Sequence, residues 1–186
     1  MRLFVGVPLS TVVMDELSAV SWRLRAHGDG LRWTAPETWH MTLQFLGNAD
    51  AKQCECVVER LRAVHQSPMA IRLENVSCFD RVGIIYAGVE VTQELITLQA
   101  AVTVATKDCG FIAEERPYRP HITLARSKEK AFFRGIKSKV TMPSKFFGFM
   151  AQEFLLYESF LGAGGSRYEV RAQFPLKKAN STVQFE

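Results

Sequence analysis

Three features of the 186-residue chain predict an α+β protein built from two related lobes. Helical and strand patterns follow one another without the steady strand–helix–strand alternation of a parallel α/β sheet. One short pattern occurs twice, as His40-Met41-Thr42-Leu43 and His121-Ile122-Thr123-Leu124. Each copy comes after a helical pattern and a short proline-containing connection, which suggests a duplicated half-domain with an approximate twofold. The length and the 47% apolar content suit one domain, residues 1–186, whose two lobes share a core.

Arg2 to Val7 reads as a strand ended by Pro8. Ser10 or Thr11 caps a helix whose apolar positions Val13, Leu17, Val20 and Leu24 keep helical spacing until Gly28. Leu31 to Trp33 is a short strand, and Pro36 turns the chain. Trp39 to Phe45 alternates, with Trp39, Met41, Leu43 and Phe45 on one face and His40, Thr42 and Gln44 on the other. A second helix, about Ala51 to His65, carries Cys54, Val57, Val58, Leu61 and Val64 on its apolar side.

Strands are expected near Ala70–Leu73 and Gly83–Val89. A helix from Gln93 to Asp108, apolar at Leu95, Leu98, Val102 and Ala105, is stopped by Gly110. Arg116-Pro117-Tyr118-Arg119-Pro120 delivers extended chain into the second His/Thr strand. Three more strands are expected, near Phe146–Met150, Glu153–Phe160 and Arg167–Phe174, the last two joined by a glycine-rich turn.

The four cysteines, Cys54, Cys56, Cys78 and Cys109, have no CxxC spacing. Cys54 and Cys56 diverge by about 200° on a helix, so reduced cysteines are expected, without zinc or disulfides. The apolar run at the N-terminus is too short for a secretory leader, and no stretch reaches the roughly 18 apolar residues of a membrane span. A soluble, cytoplasmic, monomeric protein is the expectation. The net charge of +4 is unevenly placed: seven basic residues stand against Glu129 alone between Arg126 and Lys145. Such a segment is either a solvated loop or an anion-steering surface.

On a strand, residues two apart point the same way. Each tetrapeptide therefore presents one imidazole beside one hydroxyl, and two such strands face to face would make a pocket of two imidazoles and two hydroxyls. Histidine titrates near neutrality and serves as acid or base. Thr42 and Thr123 can hydrogen-bond oxygens that gain charge in a transition state. That inventory suits proton transfer on a phosphodiester and requires no metal. No carboxylate pair, HExxH or nucleotide-triphosphate loop competes with it. His27 and His65, at helix ends, read as surface residues, and Trp33 and Trp39 as core.

Three stretches resemble one family. They are Leu31-Arg32-Trp33-Thr34-Ala35-Pro36-Glu37 with His40 through Gly47, then Arg116 through Arg126, and then Leu156-Tyr157-Glu158-Ser159 with Gly164 through Val170. Together with the opening Met1-Arg2-Leu3-Phe4-Val5 they are similar to the RNA 2′,3′-cyclic phosphodiesterases (LigT or 2′-5′ RNA ligase family) of the 2H phosphoesterases. Ala163 and Met41 stand where that family commonly has Pro and Leu.

The resemblance implies two mainly antiparallel sheets facing a central cleft, with helices outside. It implies opening of RNA 2′,3′-cyclic phosphate ends to 2′-phosphomonoesters, tRNA fragments among the RNAs, and a reverse 2′-5′ ligation, with no cofactor. It also implies His40 as proton donor, His121 as proton acceptor, and substrate contacts at Phe45 and Arg126; the residues alone do not assign the two histidine roles. Strict alternation places Phe45 opposite His40, in the core, unless the strand bends. Tyr118 reads as packing. The alternatives are a cyclic phosphodiesterase for another nucleotide, such as an ADP-ribose cyclic phosphate or a 2′-5′-linked nucleotide, and a non-catalytic RNA-binding module using the basic segment.

Overall fold

The computed structural model describes residues 1–25, 30–127, 146, 148–162 and 165–177. His27, the basic segment beyond Ser127 and the middle of the turn at 163–164 lie outside the described residues. Strand β1 (Arg2–Pro8) leads into helix α1 (Thr11–Arg25), whose Val13 amide donates to the Ser10 hydroxyl. The predicted stripe Val13, Leu17, Val20 and Leu24 is buried. Strand β2 (Leu31–Trp33) and a 3-10 turn (Pro36–Thr38) precede β3 (His40–Asn48).

Helix α2 (Ala51–Arg62) starts with a reciprocal cap between Asp50 and Gln53. After β4 (Met69–Ile71), β5 (Leu73–Phe79) and β6 (Ile84–Val89), Thr92 caps α3 (Gln93–Lys107). Gly110 ends α3 with φ of 89°, a left-handed value that glycine adopts without strain. The described chain closes with β7 (His121–Ser127), β8 (Phe149–Ala151), β9 (Glu153–Gly162) and β10 (Gly165–Pro175).

The strands form two four-stranded antiparallel sheets, ordered β10-β9-β1-β3 and β2-β7-β6-β5, with a small β4-β8 pair. One apolar cluster joins the lobes: Leu3, Val5 and Met41 of the first sheet meet Ile85, Ile122 and Leu124 of the second and Leu17, Leu61 and Leu98 of the helices. The strand leading to His40 crosses over, because β2 pairs with β7 of the other lobe. Among the described residues no helix is long and apolar enough to cross a membrane.

Two sequence expectations are corrected. The strand expected near Ala70–Leu73 is two strands, and β5 runs on to Phe79; a register shift between Leu73 and Val76 breaks the alternation that would have revealed it. Cys56 and Cys109 are joined as a disulfide, against the expectation of reduced cysteines. Their sequence separation is 53, so the bond depends on the packing of α2 against the turn after α3, which neighbour spacing cannot reveal. Cys54, on the buried side of α2, is free.

Candidate active site

Strands β3 and β7 carry the two histidine–threonine pairs, and both break regular alternation at the same place. In β3, Met41 and Leu43 are buried while His40 and Thr42 are half-buried on the other face. Val5 then pairs with Gln44 and Gly6 with Thr42, which leaves Leu43 as an extra residue in the ladder. This bulge turns Gln44 inward, to 6% exposure, and Phe45 outward, to 67%. In β7, Ile85 pairs with Ala125 and Tyr86 with Thr123, so Leu124 is the extra residue and Arg126 emerges exposed. Each bulge thus brings the fifth residue after its histidine onto the histidine's own face. Phe45 therefore leaves the core that alternation predicted for it and stands 6.1 Å, ring centre to ring centre, from Phe4 beside His40.

The imidazoles are held alike. His40 Nδ1 lies 2.8 Å from the carbonyl oxygen of Thr38, and His121 Nδ1 lies 2.8 Å from that of Arg119. A carbonyl only accepts, so each Nδ1 carries the hydrogen and each Nε2 is left for chemistry. Phe4, Tyr157 and Tyr168 wall in His40 at ring-centre distances of 4.6, 5.7 and 5.1 Å. Gly6 makes this packing possible, since a Cβ there would lie 2.9 Å from the Met41 carbonyl oxygen and 3.4 Å from the His40 ring. Phe79 and Tyr86 flank His121 at 5.1 and 5.4 Å.

Loss of hydration inside these aromatic walls pushes His40 down to about 4, further lowered by the charges of His121 and Arg126. Burial also lowers His121, with Arg126 adding to it. Both rings are therefore neutral at pH 7 in the free protein, and Arg126 acts on both. Among the described residues neither the Thr42 nor the Thr123 hydroxyl has a protein hydrogen-bond partner.

Each lobe grips the other's motif strand by its backbone. The Thr34 hydroxyl lies 2.9 and 2.8 Å from the carbonyl oxygens of Thr123 and Leu124 and accepts the indole N–H of Trp39, the residue before His40, at 2.8 Å. In return the Tyr118 hydroxyl, three residues before His121, donates to the Thr42 carbonyl at 2.9 Å. Tyr118 is a packing residue, as expected, and burial raises its hydroxyl far above the ordinary tyrosine range. A buried bond between the Thr106 hydroxyl and the Gln44 amide oxygen, 2.9 Å, ties the β3 bulge to α3.

The six site residues expected from the sequence, His40, Thr42, Phe45, His121, Thr123 and Arg126, lie on these two strand faces. Of the other residues, Trp39 is buried, Trp33 packs against the core and His65 is exposed. Sequence reasoning missed the aromatic walls. Phe4 and Tyr86 sit at the required parity on their strands, but Tyr157 and Tyr168 reach His40 through strand pairing that no local pattern announces. Among the described residues no group of three or more His, Cys, Asp or Glu side chains gathers where it could hold a metal ion.

The two antiparallel sheets and the three helices form the fold of the LigT-type 2H phosphoesterases. Residues 14–159 match the model of the 2′-5′ RNA ligase superfamily, and the chain belongs to that family. It is 30% identical over 133 residues to the RNA 2′,3′-cyclic phosphodiesterase of Archaeoglobus fulgidus, covering 70% of this chain and 74% of that one. With the protein of the same name from Escherichia coli K12 it shares 26% identity over 95% of this chain and 94% of the other. The crystal structure of E. coli LigT in apo form superposes with a TM-score of 0.79 at 25% identity, over 95% of this chain and 98% of that one.

Proposed function

We propose that the protein opens RNA 2′,3′-cyclic phosphate ends to 2′-phosphomonoesters by proton transfer between two histidines, with no metal in the step. That it is an RNA 2′,3′-cyclic phosphodiesterase, a hydrolase, follows from its kinship with curated relatives of that name. The use of both histidines is supported by one observation above all: both Nδ1 atoms are fixed on backbone carbonyls, which leaves two Nε2 atoms for the substrate, while the assignment of donor and acceptor follows the family resemblance.

His121 Nε2 takes a proton from water as the water oxygen bonds to phosphorus. The bond from phosphorus to the ribose 3′ oxygen breaks, and His40 Nε2–H protonates that oxygen. Thr42 and Thr123 donate to the non-bridging oxygens, whose charge grows in the transition state. Arg126 binds phosphate, and Phe45 stacks on a base. His40 is the weaker base of the free protein, so its protonated form depends on the anionic phosphodiester beside it. Once protonated it is a strong acid, which suits it to the departing oxygen.

With an RNA 5′-hydroxyl in place of water, the same displacement of the 3′ oxygen would join ends through a 2′-5′ linkage, and its reversal would split that linkage back to the cyclic phosphate. The two lobes act as one catalytic unit, in a cytoplasmic monomer, on RNAs that include tRNA fragments. The test is an oligoribonucleotide ending in a 2′,3′-cyclic phosphate, incubated with the protein in EDTA. A 2′-phosphate end is expected, and unchanged substrate in the presence of folded protein overturns the reading. Faster turnover of an ADP-ribose cyclic phosphate or a 2′-5′-linked dinucleotide would transfer the mechanism to another substrate. Salt-sensitive RNA binding without turnover would point to a binding module.

A further inference from the structure

Arg32 has no part in the chemistry described so far, yet its position is unusual. The register of β2 on β7 sets Arg32 directly opposite Arg126. Residues directly opposite on antiparallel strands share a face, with Cβ atoms about 5 Å apart. Leu31 and Trp33, on either side of Arg32, pack against the core, so alternation turns Arg32 to the side occupied by Arg126, His121 and Thr123. Two exposed arginines therefore leave neighbouring strands side by side on the face that carries His121. Like charges so placed are destabilising unless something of opposite charge lies between them. Among the described residues neither arginine has a carboxylate or hydrogen-bond partner that would offset the other's charge.

We propose that Arg32, beside Arg126, holds the phosphodiester one nucleotide upstream of the reacting phosphate, so that the enzyme prefers an RNA end to a free nucleoside 2′,3′-cyclic phosphate. This rests on the function proposed above and adds a specificity-determining residue to it. Arg126 faces the reacting phosphate. Arg32 is one strand further out, opposite the fifth residue along β7 from His121, so a phosphate next to the one that Arg126 binds comes within its reach. A planar guanidinium fork matches two phosphate oxygens at once, and the edge strand β2 leaves room for the polymer to continue into solvent.

The experiment compares kcat/KM for a nucleoside 2′,3′-cyclic phosphate and for a dinucleotide ending in the same group, using wild type, Arg32→Ala and Arg32→Lys. Wild type is expected to favour the dinucleotide. Arg32→Ala should cut that preference about tenfold, mostly through KM, and flatten the salt dependence of dinucleotide binding by about one phosphate contact. Arg32→Lys should recover the salt dependence and part of the preference. Removing a like charge should leave the melting temperature of Arg32→Ala no lower than wild type. An unchanged dinucleotide preference in Arg32→Ala overturns the assignment of Arg32 alone. If wild type turns over neither substrate, the proposed function falls and this inference with it.

Discussion

His40 and His121 are kept neutral chiefly by burial among aromatic rings, with the Arg126 charge adding to it, and this determines how they respond to pH. Burial pushes the folded His40 down to about 4, below its ordinary 6.5, so between those values the unfolded chain binds a proton that the folded one does not. Stability is therefore unaffected above the ordinary value and falls as pH drops through the window, by at most about 3 kcal/mol from this residue. A bound phosphodiester carries a negative charge that opposes desolvation and raises both rings. The pH profile of kcat/KM, which reports the free protein, should accordingly fall on its alkaline side below pH 6.5, while the profile of kcat lies at higher pH. Initial rates between about pH 4 and 8 test this; identical profiles centred on the ordinary imidazole value would contradict the burial argument.

The decisive elements are the two bulged strands. Alternation of apolar and polar residues was legible in both motifs and placed His40 with Thr42 and His121 with Thr123 correctly. The extra residues Leu43 and Leu124 were not legible, because a bulge is set by the register with β1 and β6. For the same reason the parity of Phe45 and Gln44 was misread. Gln44 is a polar residue turned inward, and the Thr106 hydroxyl is the one hydrogen-bond partner of its side chain among the described residues. Replacing Thr106 by valine should cost about 1–3 kcal/mol by leaving the Gln44 amide oxygen unpaired. It should also raise KM, since Phe45 follows Gln44 directly. Urea denaturation and steady-state kinetics read both effects, and a variant with wild-type stability and KM would remove Gln44 from the support of the site.

At the scale of the whole molecule, the lobes are interlocked rather than merely adjacent. Strand β2 belongs to one sheet and delivers the histidine of the other, and the Thr34–Trp39 and Tyr118–Thr42 bonds fix the two motif strands relative to each other. The disulfide between Cys56 and Cys109 closes a long loop and adds up to ~4 kcal/mol by the chain-entropy argument. Helices and the repeated motif were readable in the sequence because each is a local or recurring pattern. Crossover, cystine and aromatic walls were not, because each is made by residues distant in the chain.

The central claim is that His40 and His121 act together on one phosphorus. Its most direct test is the single-turnover rate of cyclic-phosphate opening by His40→Ala, His121→Ala and the double variant, each confirmed folded. Each single replacement should slow opening by roughly 10²–10⁴, and the double should be little slower than the worse single, because the pair works as a unit. A folded variant lacking either imidazole that keeps the wild-type rate would contradict the claim.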